Sequence, residues 1–270
     1  MIKRYDIDSI DNRDPRMIEL GMRLFDKMTR WYFRSEVKGL ERVPKGAGLF
    51  VANHNAGMLS PDTYLFCAAL YRKLGLDEVP YGLGHEVAIS LPLLHQFIVP
   101  LGAVRASHEN AHKLFEKERK VLVYPGGDLD SVRPFRHRNR IIFGPRRGYI
   151  KLALREGVPI IPVVAAGAHS TMMVLDDGRW LAELLRLDRW LRMKVCPIAL
   201  SIPWGLTVGM VPPHIPWRTR ILIDILEPIH FDAYGPDKAE DLAYVESCHD
   251  LVHSRMEGAL QRLLEERKSF

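Results

Sequence analysis

Residues 51–66 read V-A-N-H-N-A-G-M-L-S-P-D-T-Y-L-F. The apolar run 48–52 that leads into them has the length and composition of a buried strand. It ends at Asn53-His54-Asn55. Ser60-Pro61-Asp62 then opens a helical pattern, with serine as N-cap, proline in the first turn and an acid beside the positive end of the helix dipole. Outward from this stretch the same alternation continues. Apolar runs at 97–104, 120–124, 159–165, 197–202 and 220–226 read as strands, and helical patterns fall at 61–74, 107–118, 145–156, 179–193 and 237–267. Alternation of this kind predicts an α/β fold, a mostly parallel sheet flanked by helices. The final helix carries Leu242, Val245, Val252, Met256, Leu260 and Leu263 as a stripe that covers one sheet face.

Asp14-Pro15 opens an earlier helix on which Met17, Leu20, Leu24, Met28 and Trp31 share a face, widened by Phe25 and Tyr32. Arg16, Arg23, Lys27, Arg30 and Arg34 lie elsewhere. Such a basic amphipathic helix suits the surface of an anionic membrane. The expected organisation is an N-terminal amphipathic docking element over 1–40 and an α/β domain over 41–270.

The 270 residues, 47% hydrophobic, suffice for one large core. A net charge of +5 suits an anionic partner: a membrane surface, a phosphorylated substrate or coenzyme A. No motif supports nucleic acid as a partner. Cys67, Cys196 and Cys248 have neither metal-ligand nor disulfide-framework spacing, which points to a reducing compartment. The N-terminus has no apolar signal core, and no apolar run approaches the roughly 18 residues of a membrane span. The expected location is the cytoplasm, attached peripherally to the inner face of a membrane.

A histidine at a strand end with a carboxylate delivered from a helix start is a base with its orienting partner. His54 is the candidate general base for a hydroxyl, and Asp62 the group that fixes its tautomer and offsets the imidazolium charge. Gly57 permits the intervening chain to fold back. Tyr124-Pro125-Gly126-Gly127 ends another strand in a tight turn, where the backbone N–H groups of Gly126 and Gly127 suit an oxyanion. Asp128 and Asp130 are candidates to orient the acceptor or cap the turn. Arg133, Arg136, His137, Arg138, Arg140, Arg146 and Arg147 follow closely, and Arg105 closes the 97–104 run. Of these, Arg105, Arg133 and Arg138, with Asp130, are the expected acceptor or phosphate contacts. His169, His214, Trp204 and Trp217 read as packing or surface groups, the two tryptophans also as residues suited to a lipid interface. No group of residues suggests a metal site.

The order Asn-His with a following Asp, Gly-Ala-Val-Arg at 102–105, Tyr-Pro-Gly-Gly at 124–127 and Val-Pro-Ile-Ile-Pro-Val at 158–163 resembles the glycerolipid acyltransferase family that includes 1-acylglycerol-3-phosphate acyltransferases. The resemblance implies transfer of a fatty acyl group from acyl-CoA or acyl carrier protein to a glycerolipid hydroxyl, an α/β core, membrane docking, and no cofactor. Two departures stand out. The family places four residues between His and Asp, whereas seven separate His54 from Asp62. Its third block, Phe-Pro-Glu-Gly-Thr-Arg, has here become Tyr-Pro-Gly-Gly-Asp-Leu, losing the arginine associated with the acceptor's phosphate. That change looks more like the monoacylglycerol and diacylglycerol acyltransferase branch, with a neutral acceptor, unless Arg105, Arg133 or Arg138 compensates. The alternatives are a thioester or lipid hydrolase and a non-catalytic lipid-binding protein.

Overall fold

The computed structural model describes residues 4–57, 60–191, 194–209, 211 and 214–269. Among them the strands are β1 (Glu36–Lys38), β2 (Gly48–Ala52), β3 (Tyr81–Gly84), β4 (Ala103–Arg105), β5 (Lys120–Val123), β6 (Ile160–Ala166), β7 (Met173–Asp176), β8 (Ile198–Ser201), β9 (Gly205–Val208) and β10 (Leu222–Ile225). The helices are α1 (Pro15–Trp31), α2 (Pro61–Leu74), α3 (Glu86–Ser90), α4 (Pro92–Leu101), α5 (His108–Glu116), α6 (Gly127–Ser131), α7 (Gly148–Glu156), α8 (Arg179–Leu184), α9 (Leu187–Leu191), α10 (Pro236–Glu240) and α11 (Leu242–Lys268).

Seven strands form the main sheet in the order β1-β10-β6-β2-β5-β3-β4. Every neighbouring pair is parallel except β10 with β6. The sheet is buried on both sides, which is why its central strands are apolar at successive positions rather than at alternate ones. Leu49 and Val51 of β2 face one core layer, together with the stripe Val245, Val252, Met256, Leu260 and Leu263 of α11. Phe50 and Ala52 face the other layer, built with Leu65 and Phe66 of α2 and Ile18 and Met22 of α1. The expected α/β architecture is therefore present. The described part of the expected N-terminal element is built into it, since β1 belongs to the sheet and Ile18 and Met22 of α1 to its core.

Four expected elements differ. The run 97–104 is the end of α4 followed by β4. Pro92 at the helix start and Gly102 in the left-handed C-cap conformation bracket a helix whose apolar residues also fit a strand. The segment 179–193 forms α8 and α9, interrupted at Arg186, whose φ is 50°; residues 192 and 193 lie outside those described. The segment 237–267 is split into α10 and α11 at Asp241, whose side chain accepts the Tyr244 N–H and caps the second helix. The run 197–202 is a strand, β8, but in a separate antiparallel sheet, β7-β8-β9. No helix among the described residues is long and apolar enough to cross a membrane.

Candidate active site

The site begins where β2 stops. Asn53 extends the β2–β6 ladder by one rung through its side chain: its amide donates to the Ala165 carbonyl at 3.0 Å and accepts the Ala165 N–H at 2.9 Å. The next residue, His54, is held by its backbone. Its N–H donates to Asp130 Oδ2 at 2.6 Å, and its carbonyl accepts from the Arg133 guanidinium at 2.6 Å. Ala56, in the left-handed region at φ 51°, donates its N–H to His169 Nδ1 at 3.3 Å. That donation makes Nδ1 the acceptor, so Nε2 of His169 carries the proton and gives it to the Arg133 carbonyl at 2.7 Å. His169 is thus a buried neutral strut, its pKa pushed well down by burial and by Arg133.

Beneath this loop lies an ion pair with no exposure to solvent, Asp130–Arg133 at 3.0 Å. Asp130 also accepts the Ile142 N–H at 3.0 Å. Arg133 gives further hydrogen bonds to the carbonyls of Asp130, His137 and Arg138 and to the Asn55 side chain. Both residues are consumed in positioning the His54 loop, so the expected contact of Asp130 and Arg133 with an acceptor or phosphate is not made. The glycine turn explains how they arrive there. A Cβ on Gly126 would sit 2.3 Å from Asp130 Cβ and 2.3 Å from the Ile142 carbonyl oxygen, so only glycine lets α6 come this close. The Gly127 N–H is not bare: it donates to the Tyr124 carbonyl at 3.0 Å.

The side chain of His54 points elsewhere. Its Nδ1 lies 2.9 Å from Ser60 Oγ, and Ser60 Oγ donates to the Asn55 carbonyl at 2.6 Å. The single hydroxyl proton is therefore spent, and Ser60 can only accept from His54. This fixes the tautomer with the proton on Nδ1 and leaves the Nε2 lone pair without a partner among the described residues. The ring leans on Tyr124, with centroids 4.4 Å apart. Burial, and then the Arg133 charge, push the His54 pKa down to about 4, so the imidazole is neutral.

Asp62 does not touch this ring. Its Oδ2 accepts from Asn55 Nδ2 at 2.7 Å, and its buried Oδ1 has no hydrogen-bond partner among the described residues. The direct His54–Asp62 pair expected from sequence is replaced by His54–Ser60 on one side and Asn55–Asp62 on the other. Burial raises Asp62 to about 7. The carboxyl faces a small cleft shared with Asn53, Thr63, Tyr124 and Ala165.

The remaining expected contacts lie apart from the ring. Arg105 forms a two-pronged pair with Asp8, at 2.8 and 2.6 Å, and Asn110 donates to the same carboxylate at 2.9 Å. Arg138 stacks on Phe135, its guanidinium carbon 4.3 Å from the ring centroid. Arg146 pairs with Asp128, and Arg147 with Glu246. No cluster of potential metal ligands occurs among the described residues. Sequence reading did not single out Ser60 and Asn55 for this role. Ser60 looked like an N-cap, yet it makes no side-chain cap bond to α2. The signal that it did something else was the two-residue spacing to Asp62, with both groups placed at one helix start.

Residues 34–166, which contain β2, the His54 loop, the glycine turn and the Asp130–Arg133 pair, match the family model described as Acyltransferase. An uncharacterized protein of Mycobacterium tuberculosis is 30% identical over 240 residues, 88% of this chain and 64% of that protein. The chain thus spans just under two thirds of the length of that relative. Human diacylglycerol O-acyltransferase 2 is 21% identical over 192 residues, 66% of this chain and 45% of that protein. The crystal structure of the 1-acyl-sn-glycerophosphate acyltransferase PlsC from Thermotoga maritima shares the fold, with TM-score 0.56, 17% identity, and coverage of 91% of this chain and 79% of that one.

Proposed function

Because this chain belongs to the glycerolipid acyltransferase family, we propose that it moves a fatty acyl group from acyl-CoA or acyl carrier protein to a glycerolipid hydroxyl, with His54 as general base. The observation that carries the reading is a neutral imidazole whose Nδ1 proton is held by Ser60 and whose Nε2 has no hydrogen-bond partner among the described residues. An acceptor hydroxyl placed on Nε2 gives up its proton as its oxygen attacks the thioester carbonyl carbon. The tetrahedral oxyanion collapses, the C–S bond breaks, and the imidazolium returns its proton to the departing thiolate. With a pKa near 4 the ring is a weak base. Proton transfer therefore runs together with C–O bond formation rather than ahead of it. No acyl-enzyme is required, and the three cysteines, Cys67, Cys196 and Cys248, are buried.

The acceptor we favour is a neutral mono- or diacylglycerol over lysophosphatidate or another lysophospholipid. Of the three arginines expected to contact a phosphate, Arg105 and Arg133 are matched to Asp8 and Asp130 within the chain, and Arg138 stacks on Phe135. The similarity to diacylglycerol O-acyltransferases, at 21–24% identity, supports the same choice. Peripheral attachment to an anionic membrane brings the protein to such a lipid, and α1 supports it. Ile18 and Met22 bury one side of the helix, while Leu20, Leu24 and Trp31 form a second, exposed apolar stripe.

The test is an acceptor panel of lysophosphatidate, lysophospholipid, monoacylglycerol and diacylglycerol with one radiolabelled acyl-CoA. Transfer to the neutral glycerides is expected. Release of free fatty acid at the same rate with and without acceptor overturns the transferase reading in favour of a hydrolase.

A further inference from the structure

The small sheet β7-β8-β9 has two unlike faces. Val174, Ala199 and Ser201 point inward and are buried, and Val174 packs in the cluster that also holds Ala56 of the His54 loop. An antiparallel sheet that covers a core in this way ordinarily turns polar side chains outward. This one does not. The register sets Leu200 opposite Leu206 and Ile198 opposite Val208 on the outer face, and an isolated bridge adds Ile202 opposite Ile215. Leu206 is 65% exposed, Val208 56% and Ile215 53%. The outer face is therefore a largely apolar surface left open among the described residues, far from the pattern of a sheet meant for water.

The charges flanking β8 and β9 are mainly basic; the nearby acids, Asp176 opposite Ile198 and Asp177, are engaged by the Gly178 N–H and by Arg179. Between Asp188 and Asp224 the sequence has no acidic residue, yet it includes Arg189, Lys194, Arg218 and Arg220. Of these, Arg189, Lys194 and Arg218 are exposed. Exposed Trp204 and Trp217 stand at the edge, the amphipathic side chains suited to a boundary between apolar and wet phases. The surface also continues into α1. The Tyr32 hydroxyl that follows that helix donates to the Pro216 carbonyl at 2.7 Å, which sets the C-terminal end of α1 against the Ile215–Trp217 segment.

We infer that the outer face of β8–β9 is a second membrane-docking surface, seated on an anionic lipid bilayer beside the His54 loop. An anionic bilayer matches both parts of the surface: the apolar face enters the acyl boundary and the basic rim of Arg189, Lys194 and Arg218 meets the headgroups. A second copy of the chain matches only the first, because a two-fold interface sets the same basic rim against itself. The inference rests on the proposed lipid substrate only for the choice of occupant. It gives the hairpin a purpose that α1 alone does not supply, since it ties the membrane plane to the loop that carries the base.

The experiment is co-sedimentation of the full chain with vesicles of phosphatidylcholine alone or of phosphatidylcholine with phosphatidylglycerol. The chain is compared with Leu206→Glu/Val208→Glu and with the apolar swap Leu206→Val/Val208→Leu. Both altered positions are exposed, and circular dichroism checks the fold. The expected result is binding to the anionic vesicles, weakened by about tenfold or more in the glutamate variant and kept in the apolar swap. Equal binding of the glutamate variant, equal binding to phosphatidylcholine alone, or no binding by the wild-type chain overturns the inference. So does a wild-type dimer that the glutamate variant splits, without vesicle binding. Binding is scored without turnover, so a chain that sediments but transfers no acyl group leaves the surface standing and removes only the activity.

Discussion

The hydroxyl of Ser60 lies 2.9 Å from Nδ1 of His54 and gives its own proton to the Asn55 carbonyl. A hydroxyl in this place does half of what a carboxylate does. It selects the tautomer and aims the ring, but it brings no negative charge to offset an imidazolium. Burial, and after it the nearby Arg133 charge, take the His54 pKa down to about 4.

Replacing the ring removes the base. His54→Ala is expected to lower acyl transfer by about 10²–10⁴-fold, the usual range for a general base. Its melting temperature should stay close to wild type, because the loop is held through the His54 backbone and not its ring. A variant that keeps more than about a tenth of wild-type transfer, with normal acyl-CoA saturation, rules His54 out as the base.

Ser60 and Asp62 separate in the same assay. Ser60→Ala removes the acceptor that fixes the tautomer and is expected to cost about 10- to 100-fold in kcat, the scale of losing an outer partner that orients a ligand ring. Asp62→Asn leaves that contact intact and is expected to cost less, since an amide oxygen can still accept from Asn55. Ser60→Asp supplies the missing charge. The wild-type kcat/KM profile should stay level from neutral pH down towards 4 and then fall, and Ser60→Asp should move that fall to higher pH. The opposite ranking, with Asp62→Asn the more damaging, would return the orienting role to Asp62.

The two perturbed groups also bias stability in opposite directions. Between 3.8 and about 7 the folded chain keeps a proton on Asp62 that the unfolded chain has released, so this group makes stability fall as pH rises. Between about 4 and 6.5 the unfolded chain gains a proton on His54 that the folded chain rejects, so this group makes stability rise with pH. In the shared window the slopes oppose each other. Relative to wild type, Asp62→Asn should become progressively more stable as pH rises to 7, by up to about 4 kcal/mol. His54→Ala should lose its relative advantage over the same climb. Urea denaturation at several pH values reads both, and parallel curves for all three proteins would refute the assignment.

The parts of this molecule legible in its sequence were those with one dominant physical cause. β2, β5, β6 and β10 are continuous apolar runs because both sheet faces are covered, and α2, α5, α7 and α11 carry clear stripes or caps. The strands that were not anticipated, Glu36–Lys38, Tyr81–Gly84, Met173–Asp176 and Gly205–Val208, are three or four residues long and mix polar or glycine residues into edge or surface positions. Such strands form because a neighbour offers a ladder, which no local pattern records. In the site, His54 was legible from its place after β2. Its partner was not, because Ser60 and Asp62 both belong to a normal helix start. Only the path of the backbone decides which of them meets the ring. Arg133 looked like a phosphate contact because an arginine has the same chemistry for a lipid phosphate and for a buried carbonyl.

Arg133 gives the last prediction. Its donors go to Asp130, Asn55 and the carbonyls of His54, His137 and Arg138, and it has almost no contact with solvent. Lysine keeps the charge but cannot reproduce a planar fork serving several acceptors at once, so Arg133→Lys leaves buried carbonyls and the Asp130 carboxylate short of donors. Breaking a buried pair in this way costs about 3–5 kcal/mol. Arg105→Ala is the matched control, because its pair with Asp8 is solvent-exposed and screened. Arg133→Lys should therefore show a large drop in the urea midpoint and in soluble yield, and Arg105→Ala little change in either. A phosphate contact would behave differently, raising the KM for lysophosphatidate while the midpoint stayed in place. Arg133→Lys with wild-type stability and a selective loss of phosphorylated acceptor would turn this residue from a strut beneath the His54 loop into a substrate ligand, and with it the preference for a neutral acceptor would go.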